Sequence, residues 1–257
     1  MSDRPSVLIT GAAKRVGARI ARSFGEAGWH VVIHYGHSRD EAEALAHELE
    51  SAETVSCDLF DETAAAAMIE GCASRLTDWR VLINSAGIFT SDTAEALDPD
   101  VHRKAMAVNA RVPTLMGQRF LASARAKGGR RVIQITDQKL ANPNPDFFSY
   151  TMSKHALGST IAMLAKAQND PRDRIYGLAP GAILRSHDQS EEETEISHRL
   201  NLLQRKTGPD EVAEAALFLA QGWLASGQTL YVDSGQHLLD QDRDVIYVAR
   251  ALQRNDG

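Results

Sequence analysis

Cysteine is nearly missing from this chain: its 257 residues contain two, Cys57 and Cys72. Two thiols build no disulfide framework, and neither stands in a metal-ligand spacing, so the expectation is a pair of reduced thiols and no metal. Long apolar runs are missing too. None approaches the roughly 20 residues that a membrane-spanning helix needs. The start, Met1-Ser2-Asp3-Arg4-Pro5, runs straight into Val7-Leu8-Ile9 and is too short and too acidic for a signal peptide, which gives a cytoplasmic expectation. Basic charge is not in excess either. Its 28 Lys and Arg are outnumbered by 34 Asp and Glu, for a net charge of -6. That removes any electrostatic case for a nucleic acid or an anionic membrane as partner. No linker rich in Pro, Gly or Ser, no internal repeat and no low-complexity block divides the chain. Its length is compatible with one large α/β domain, and the expectation is a single domain over 1–257 with a polar tail from about 240.

What is present is a regular alternation. Hydrophobic residues at 43% and charged residues at 24% are ordinary for a globular protein. Short β-rich runs at 6–10, 30–35, 54–57, 80–83, 131–136, 174–178 and 229–232 predict strands. Most are continuously apolar rather than alternating, as in a parallel sheet buried on both faces. Helical patterns lie between them. Asp98-Pro99 supplies an N-cap and a proline at the first helical position, and Gly208-Pro209-Asp210-Glu211 opens another helix with acids in its first turn. Repeated strand–helix–strand units predict a Rossmann-like α/β fold, a doubly wound parallel sheet of about seven strands with helices on both faces. Two stretches stay open. Residues 185–206, polar and rich in Glu, read as a solvated face or, because they follow a strand end, as a substrate lid. Residues 240–257 surround a short Val245-Ile246-Tyr247-Val248 run, and an interface tail is one reading.

The first strand runs into Thr10-Gly11-Ala12-Ala13-Lys14-Arg15-Val16-Gly17 and then a helix. Gly11 and Gly17 allow a tight turn and close packing, and the helix N-terminus offers free N–H groups to a pyrophosphate. A site for NAD places an acid after the second strand to hold the ribose hydroxyls. Here the chain reads His34-Tyr35-Gly36-His37-Ser38-Arg39, with no acid before Asp40. With Lys14 and Arg15 close by, this pattern favours NADPH, its 2′-phosphate meeting hydroxyl, imidazole and guanidinium groups. Asp58, at the end of the third strand, reads as an adenine neighbour or as an N-cap.

Tyr150-Thr151-Met152-Ser153-Lys154 opens a helical run, and residues four apart share a helix face. A tyrosine has a pKa of about 10 and needs help to move a proton at neutral pH. A neighbouring ammonium favours the phenolate and is expected to bring that pKa down. A nicotinamide cofactor would supply the hydride, and the protein the proton and the geometry.

In order and at family spacing, Thr10–Gly17, Asp58-Leu59, Asn84-Ser85-Ala86-Gly87, Val108-Asn109-Ala110, Tyr150–Lys154, Pro180-Gly181 and Val232-Asp233-Ser234-Gly235 resemble the short-chain dehydrogenase/reductase family over essentially the whole chain. The resemblance implies Tyr150 as proton donor, Asn109 in a proton relay with Lys154, cofactor contacts along Asn84 to Gly87 and at Pro180 and Gly181, and a homotetramer. Three departures stand out. Arg15 occupies the place of the central loop glycine, Ser85 that of a second asparagine, and Asp137 that of the serine thirteen residues before the tyrosine.

Those departures resemble one subgroup, the pteridine and dihydromonapterin reductases. Its loop is close to Thr10–Gly17, its phosphate clamp is similar to His34-Tyr35 with Ser38, and an Asp in place of the serine is its habit. Phe89 falls where trypanosomatid members carry an aromatic that stacks on the pterin. His37 stands where the subgroup prefers Arg, with Arg39 nearby, and Gly87 replaces a serine. The resemblance implies reduction of a dihydropterin (dihydromonapterin- or dihydrobiopterin-like) to the tetrahydropterin, with Arg15, Phe89, Asp137 and Tyr150 at the substrate. A flat heterocycle suits a slot between nicotinamide and a phenyl ring, and a carboxyl beside the tyrosine suits protonation of a ring nitrogen. The competing readings are a carbonyl reductase of 3-oxoacyl thioesters or other ketones, which Asp137 disfavours, and a non-catalytic NADPH sensor, which intact Tyr150, Lys154 and Asn109 disfavour.

Overall fold

Each apolar run buries both of its faces by sending alternate side chains to opposite sides. In the computed structural model, which describes residues 4–186 and 189–255, there are seven strands: β1 (Ser6–Ile9), β2 (His30–Tyr35), β3 (Ala52–Ser56), β4 (Trp79–Asn84), β5 (Arg131–Ile135), β6 (Arg174–Pro180) and β7 (Thr229–Val232). They form one parallel sheet in the order β3-β2-β1-β4-β5-β6-β7. Val7, Ile9, Val31, Ile33, Val81 and Ile83 enter one core, while Leu8, Val32 and Leu82 enter the other. This is the period-two alternation of a strand. Helices α1 (Arg15–Glu26), α2 (Arg39–Glu48) and α8 (Pro209–Ala220) cover the first core through Ile20, Phe24, Leu45 and Leu219. Helices α3 (Glu62–Arg75), α5 (Val112–Ser123) and α6 (Phe148–Ala167) cover the second through Ile69, Phe120 and Ile161. Both cysteines are free thiols in that second core. No helix among the described residues is long and apolar enough to cross a membrane.

The expected seven strands are present, with edges moved by pairing. β3 begins at Ala52, which pairs with Val31, and β6 runs on to Pro180, which pairs with Val232. Thr10 leaves β1 because its hydroxyl turns to accept from the N–H groups of Ser85 and Ala86. Asp98 caps α4 (Pro99–Met106) as expected, but α3 is capped by Asp61 and not by Asp58, whose carboxylate closes a turn on the N–H of Phe60. Between α4 and α5 the chain widens into a π-helical turn, Ala107–Arg111. Pro113 explains it: the proline has no N–H for the Asn109 carbonyl and its ring crowds that carbonyl.

β1 and β4 are neighbours although two strands separate them in sequence. A crevice opens beyond the C-terminal ends of strands at such a reversal. The chain closes over it with α7 (Glu191–Ser197) and α9 (Val245–Asn255), which pack on each other. The described part of the tail is therefore fastened to its own chain. Asp146 accepts from both Arg243 and the Asp244 N–H at 2.8 Å, and the buried carboxylate of Asp244 pairs with Lys139 at 2.8 Å. Residues 187 and 188 of the Glu-rich stretch 185–206, and 256 and 257 of the tail, lie outside the described residues.

Candidate active site

The cleft at the β1–β4 reversal has a volume of about 390 Å³ and is walled by Gly11 and Lys14 to Gly17 of the loop, by Ser85 to Phe89, and by Thr136, Asp137, Tyr150, Lys154 and Pro180. Its floor is shaped by absent side chains. A Cβ on Gly11 (φ +63°) would come within 2.9 Å of the Ala86 Cα, and one on Gly17 within 2.3 Å of the Gly11 carbonyl. Lys14, at the N-cap of α1, makes no side-chain capping bond, so the first N–H groups of the helix have no side-chain partner at that position. This cradle fits a pyrophosphate. Arg15, at the place of the central loop glycine, keeps the left-handed backbone (φ 55°) that a glycine would favour. Its guanidinium reaches over the cleft to the Arg185 carbonyl at 3.0 Å.

The loop after β2 differs from the expectation. His34 does not face a phosphate. It is buried, its Nδ1 accepts from the Gly11 N–H at 3.2 Å, and its Nε2 donates to the Cys57 carbonyl at 3.1 Å. Both bonds require the neutral Nε2–H tautomer, and burial pushes the imidazole pKa down to about 4. His34 thus braces the glycine loop from behind. Tyr35 is buried with the first core, beneath the Arg39 guanidinium. His37 and Arg39 are exposed and Ser38 is half-buried, its hydroxyl making no capping bond to α2. Arg39 pairs with Glu43 at 3.4 Å and Lys14 with Glu41 at 2.6 Å. Leu59 and Asn84 also turn inward. Leu59 joins the second core, and the Asn84 amide donates to the Pro113 carbonyl and to Gln134. In the cofactor stretch Ser85, Ala86 and Gly87 line the cleft, while Asn84 holds them from beneath. Gly181 lies just beyond, packed on Asp233 and Gln236.

The catalytic candidates meet at the middle of the cleft. The Tyr150 hydroxyl donates to Asp137 Oδ2 at 2.6 Å, and the other carboxylate oxygen accepts from the Lys139 N–H at 2.9 Å, so Asp137 also caps a short 3₁₀ turn, Gln138–Leu140. Lys154 donates to the Ile135 carbonyl at 2.8 Å with its Nζ 5.5 Å from the Tyr150 ring centroid. The expected lowering of the tyrosine pKa is reversed. Burial, and then the Asp137 carboxylate, raise the phenol well above its usual value, because the group bonded to the phenol is an acid and not the ammonium. Burial likewise raises the Asp137 carboxyl and pushes Lys154 down to about 8. The Asn109 side chain is occupied elsewhere. It clasps the N–H and carbonyl of Ile88 and donates to Ser153, with no hydrogen bond to Lys154 among the described residues. The two do flank one point: a Cβ on Gly87 would lie 3.2 Å from Asn109 Oδ1 and 3.8 Å from Lys154 Nζ.

Phe89 is no core residue, being 43% exposed. Its ring stacks on Phe147 at 4.0 Å and meets Tyr150 edge-on at 4.7 Å. Sequence reasoning missed Phe147 and the whole wall supplied by the C-terminal segment. Val245 and Ile246, together with His198 from the end of α7, line a second chamber of about 240 Å³ that shares Arg15, Val16, Phe89 and Asp137 with the cleft. Of residues 185–206, left open between a solvated face and a lid, Ser186, Gln189, Ser197 and His198 line this chamber, the last two at the end of α7. Among the described residues no group of His, Cys, Asp or Glu is placed to hold a metal.

With this geometry in view, the chain can be set beside known proteins. A family model described as enoyl-(acyl carrier protein) reductase matches residues 11–237. The FolM alternative dihydrofolate reductase 1 of Brucella canis, solved as a complex with NADP, superposes with a TM-score of 0.86 at 32% identity, covering 93% of this chain and 96% of that one. The 7alpha-hydroxysteroid dehydrogenase of Escherichia coli strain K12 is 29% identical over 91% of this chain and 94% of its own length. Pteridine reductase 1 of Leishmania tarentolae is 26% identical over 91% of this chain and 96% of its own.

Proposed function

We propose that this chain, which belongs to the short-chain dehydrogenase/reductase family, reduces a dihydropterin to the tetrahydropterin with NADPH. Family membership by itself makes the protein an oxidoreductase. The observation that carries the choice of substrate is the hydrogen bond from Tyr150 to Asp137. A ketone needs its developing oxyanion stabilised, and Asp137 repels it whenever the carboxyl is ionised, as it becomes on giving up its proton. Reduction of a ring C=N bond instead needs a proton on nitrogen, which an acid behind the phenol can supply.

In this reading Gly11, Gly17 and the α1 N-terminus hold the pyrophosphate of NADPH. Lys14, Ser38 and Arg39 hold its 2′-phosphate, and Ser85 to Gly87, Lys154 and Pro180 hold the nicotinamide half. Bound NADPH supplies a hydride to the ring carbon. Tyr150 gives its proton to the ring nitrogen and regains one from Asp137, which burial keeps protonated to higher pH than a free carboxyl. Asp137 is recharged from solvent, so each turnover consumes one proton. Lys154 orients the phenol and Phe89 forms one side of the slot for the flat substrate. The NADP-bound FolM structure and pteridine reductase 1 support the cofactor and the substrate class. Similarity to a hydroxysteroid dehydrogenase keeps ketone reduction as the second reading. NADPH oxidation measured in parallel with dihydropterins, dihydrofolate and an acetoacetyl thioester tests the choice. Turnover of the thioester with no measurable dihydropterin reduction overturns it.

A further inference from the structure

From Phe89 to Asp98 the chain is exposed at every position but one, and the buried residue there is a carboxylate, Asp92. It is 8% exposed, against 43% for Phe89 three residues before it. Burying a charge is costly unless it is well partnered, and the partners of Asp92 lie on α6, the helix that carries Tyr150 and Lys154. Its Oδ1 accepts from the Ser149 N–H at 2.9 Å, its Oδ2 from the Ser149 hydroxyl, and its own carbonyl from the Phe148 N–H at 3.4 Å. Ser149 is fully buried, and its hydroxyl also lies 3.4 Å from Nδ1 of His102 on α4.

The residues leading into α6 supply no cap of their own. The chain enters the helix through Phe147, whose backbone is left-handed (φ +52°) and whose ring cannot accept a hydrogen bond. The first turn of a helix has N–H groups with no partner inside the helix, and its positive end favours a carboxylate. Asp92 meets both needs from another loop. Tyr150 belongs to that first turn, directly after Phe148 and Ser149, whereas Lys154 lies one turn further on and is tied separately to the Ile135 carbonyl. The loop itself has a second tie, because Asn109 clasps Ile88. Phe89 stands between the two ties, stacked on Phe147.

We infer that Asp92 is a positioning residue for proton transfer: by capping α6 from the Phe89 loop it holds the Tyr150 phenol on Asp137 and keeps loop and helix together as one wall of the slot. This role rests on Tyr150 as the proton donor and holds for a dihydropterin and a ketone alike. Without the cap the first turn frays. Tyr150 then leaves its place while Lys154 stays, and Phe89 keeps the Asn109 tie, so turnover suffers more than binding. The Tyr150 hydroxyl, together with Lys139 and Lys154, holds the buried Asp137 carboxyl down, and Asp244 is neutralised by Lys139. A displaced phenol therefore lets Asp137 keep its proton to higher pH.

The test uses the full chain and whichever dihydropterin or ketone the unaltered enzyme turns over. Titration with NADPH, read from its fluorescence, counts the folded sites to which kcat refers. Asp92→Ala should lower kcat about thirtyfold, short of the roughly hundredfold that a misplacement of about 1 Å can cost. KM should rise only a few-fold, the Kd for NADPH should stay unchanged, and the alkaline limb of kcat should move to higher pH. Asp92→Asn, whose amide oxygen still accepts from the Ser149 N–H, should recover most of kcat and bring the limb back. Asp92→Ser, polar but one bond shorter than that contact needs, stands in for the alanine where that variant does not fold, with the same expected result. A lower Tm with kcat per NADPH site and the limb both unchanged would mean a cap for stability alone and overturn the positioning role. A loss in Asp92→Asn equal to that in Asp92→Ala would overturn it too, because the accepting oxygen would not be what places the phenol. Tyr150→Phe, measured beside them, separates the premise from the inference: activity kept there overturns Tyr150 as proton donor, and the role of Asp92 with it.

Discussion

Tyr150 donates to the Oδ2 of Asp137 across 2.6 Å, and the same carboxyl receives the Lys139 N–H on its other oxygen. The phenol and the carboxyl share a proton-binding site and titrate as a pair. Burial raises both groups, so the pair keeps its proton to higher pH than a free carboxyl would. Proton delivery is lost as pH rises through the apparent pKa of the pair, so kcat with a dihydropterin should fall on the alkaline side. Asp137→Asn keeps the shape, cannot titrate, and should lower kcat about a hundredfold, the lower range of a general acid's contribution, while moving that limb to the titration of the phenol alone. Tyr150→Phe should leave under a few per cent of the activity with NADPH binding intact. An unmoved alkaline limb in Asp137→Asn would transfer the proton step to another group.

His34 predicts an acid weakness of the fold. Its pKa in the folded protein is about 4, below the ordinary imidazole value of 6.5. Because the folded value is depressed, the unfolded chain binds the extra proton. The stability contributed by neutral His34 is fully present above about 6.5 and is lost as pH falls toward 4. At about 1.4 kcal/mol for each tenfold difference in proton affinity, the full loss is on the order of 3 kcal/mol. Denaturant unfolding at pH 7 and pH 4.5 should show this drop, and His34→Gln, less stable at pH 7, should show a smaller one.

Cofactor choice is expected to rest on Ser38 and Arg39 at the N-terminus of α2. Replacing both by Ala should raise KM for NADPH about tenfold or more and leave NADH nearly unchanged. Equal kcat/KM for the two cofactors in the unaltered protein would remove this assignment.

The Lys139–Asp244 pair fastens the C-terminal wall to the turn that carries Asp137. Asp244→Ala leaves a buried ammonium with one neutral partner, Asn144, and should cost about 3–5 kcal/mol. Lys139→Met combined with Asp244→Leu should recover most of that loss. A thermal double-mutant cycle measures the coupling.

Much of this site is legible in the sequence because it is local. The glycine loop, the Tyr150–Lys154 spacing and the seven apolar runs each declare themselves within a few residues. The departures from expectation have two physical causes. One is strand parity. In β2, Val31, Ile33 and Tyr35 face one core while Val32 and His34 face the other way, so His34 and Tyr35 cannot serve the same phosphate. The same alternation in β4 puts Asn84 with Leu82, beneath the sheet and against Pro113. The second cause is long range. Nothing near residue 244 announces that its carboxylate will meet Lys139, and nothing near residue 198 announces a shared chamber with Ile246.

Arg15 holds φ at +55°, a conformation that costs a residue with a Cβ about 1–2 kcal/mol. Glycine would relieve that cost but, through its freer unfolded chain, would forfeit about 0.4–1 kcal/mol. The two effects nearly cancel, so Arg15→Gly should shift the melting temperature by only a few degrees, toward higher stability. Scanning calorimetry checks this. A guanidinium at the mouth of the cleft can thus be exchanged for a hydrogen atom at almost constant thermodynamic stability. Position 15 is a place where substrate range can drift or be engineered without the fold resisting.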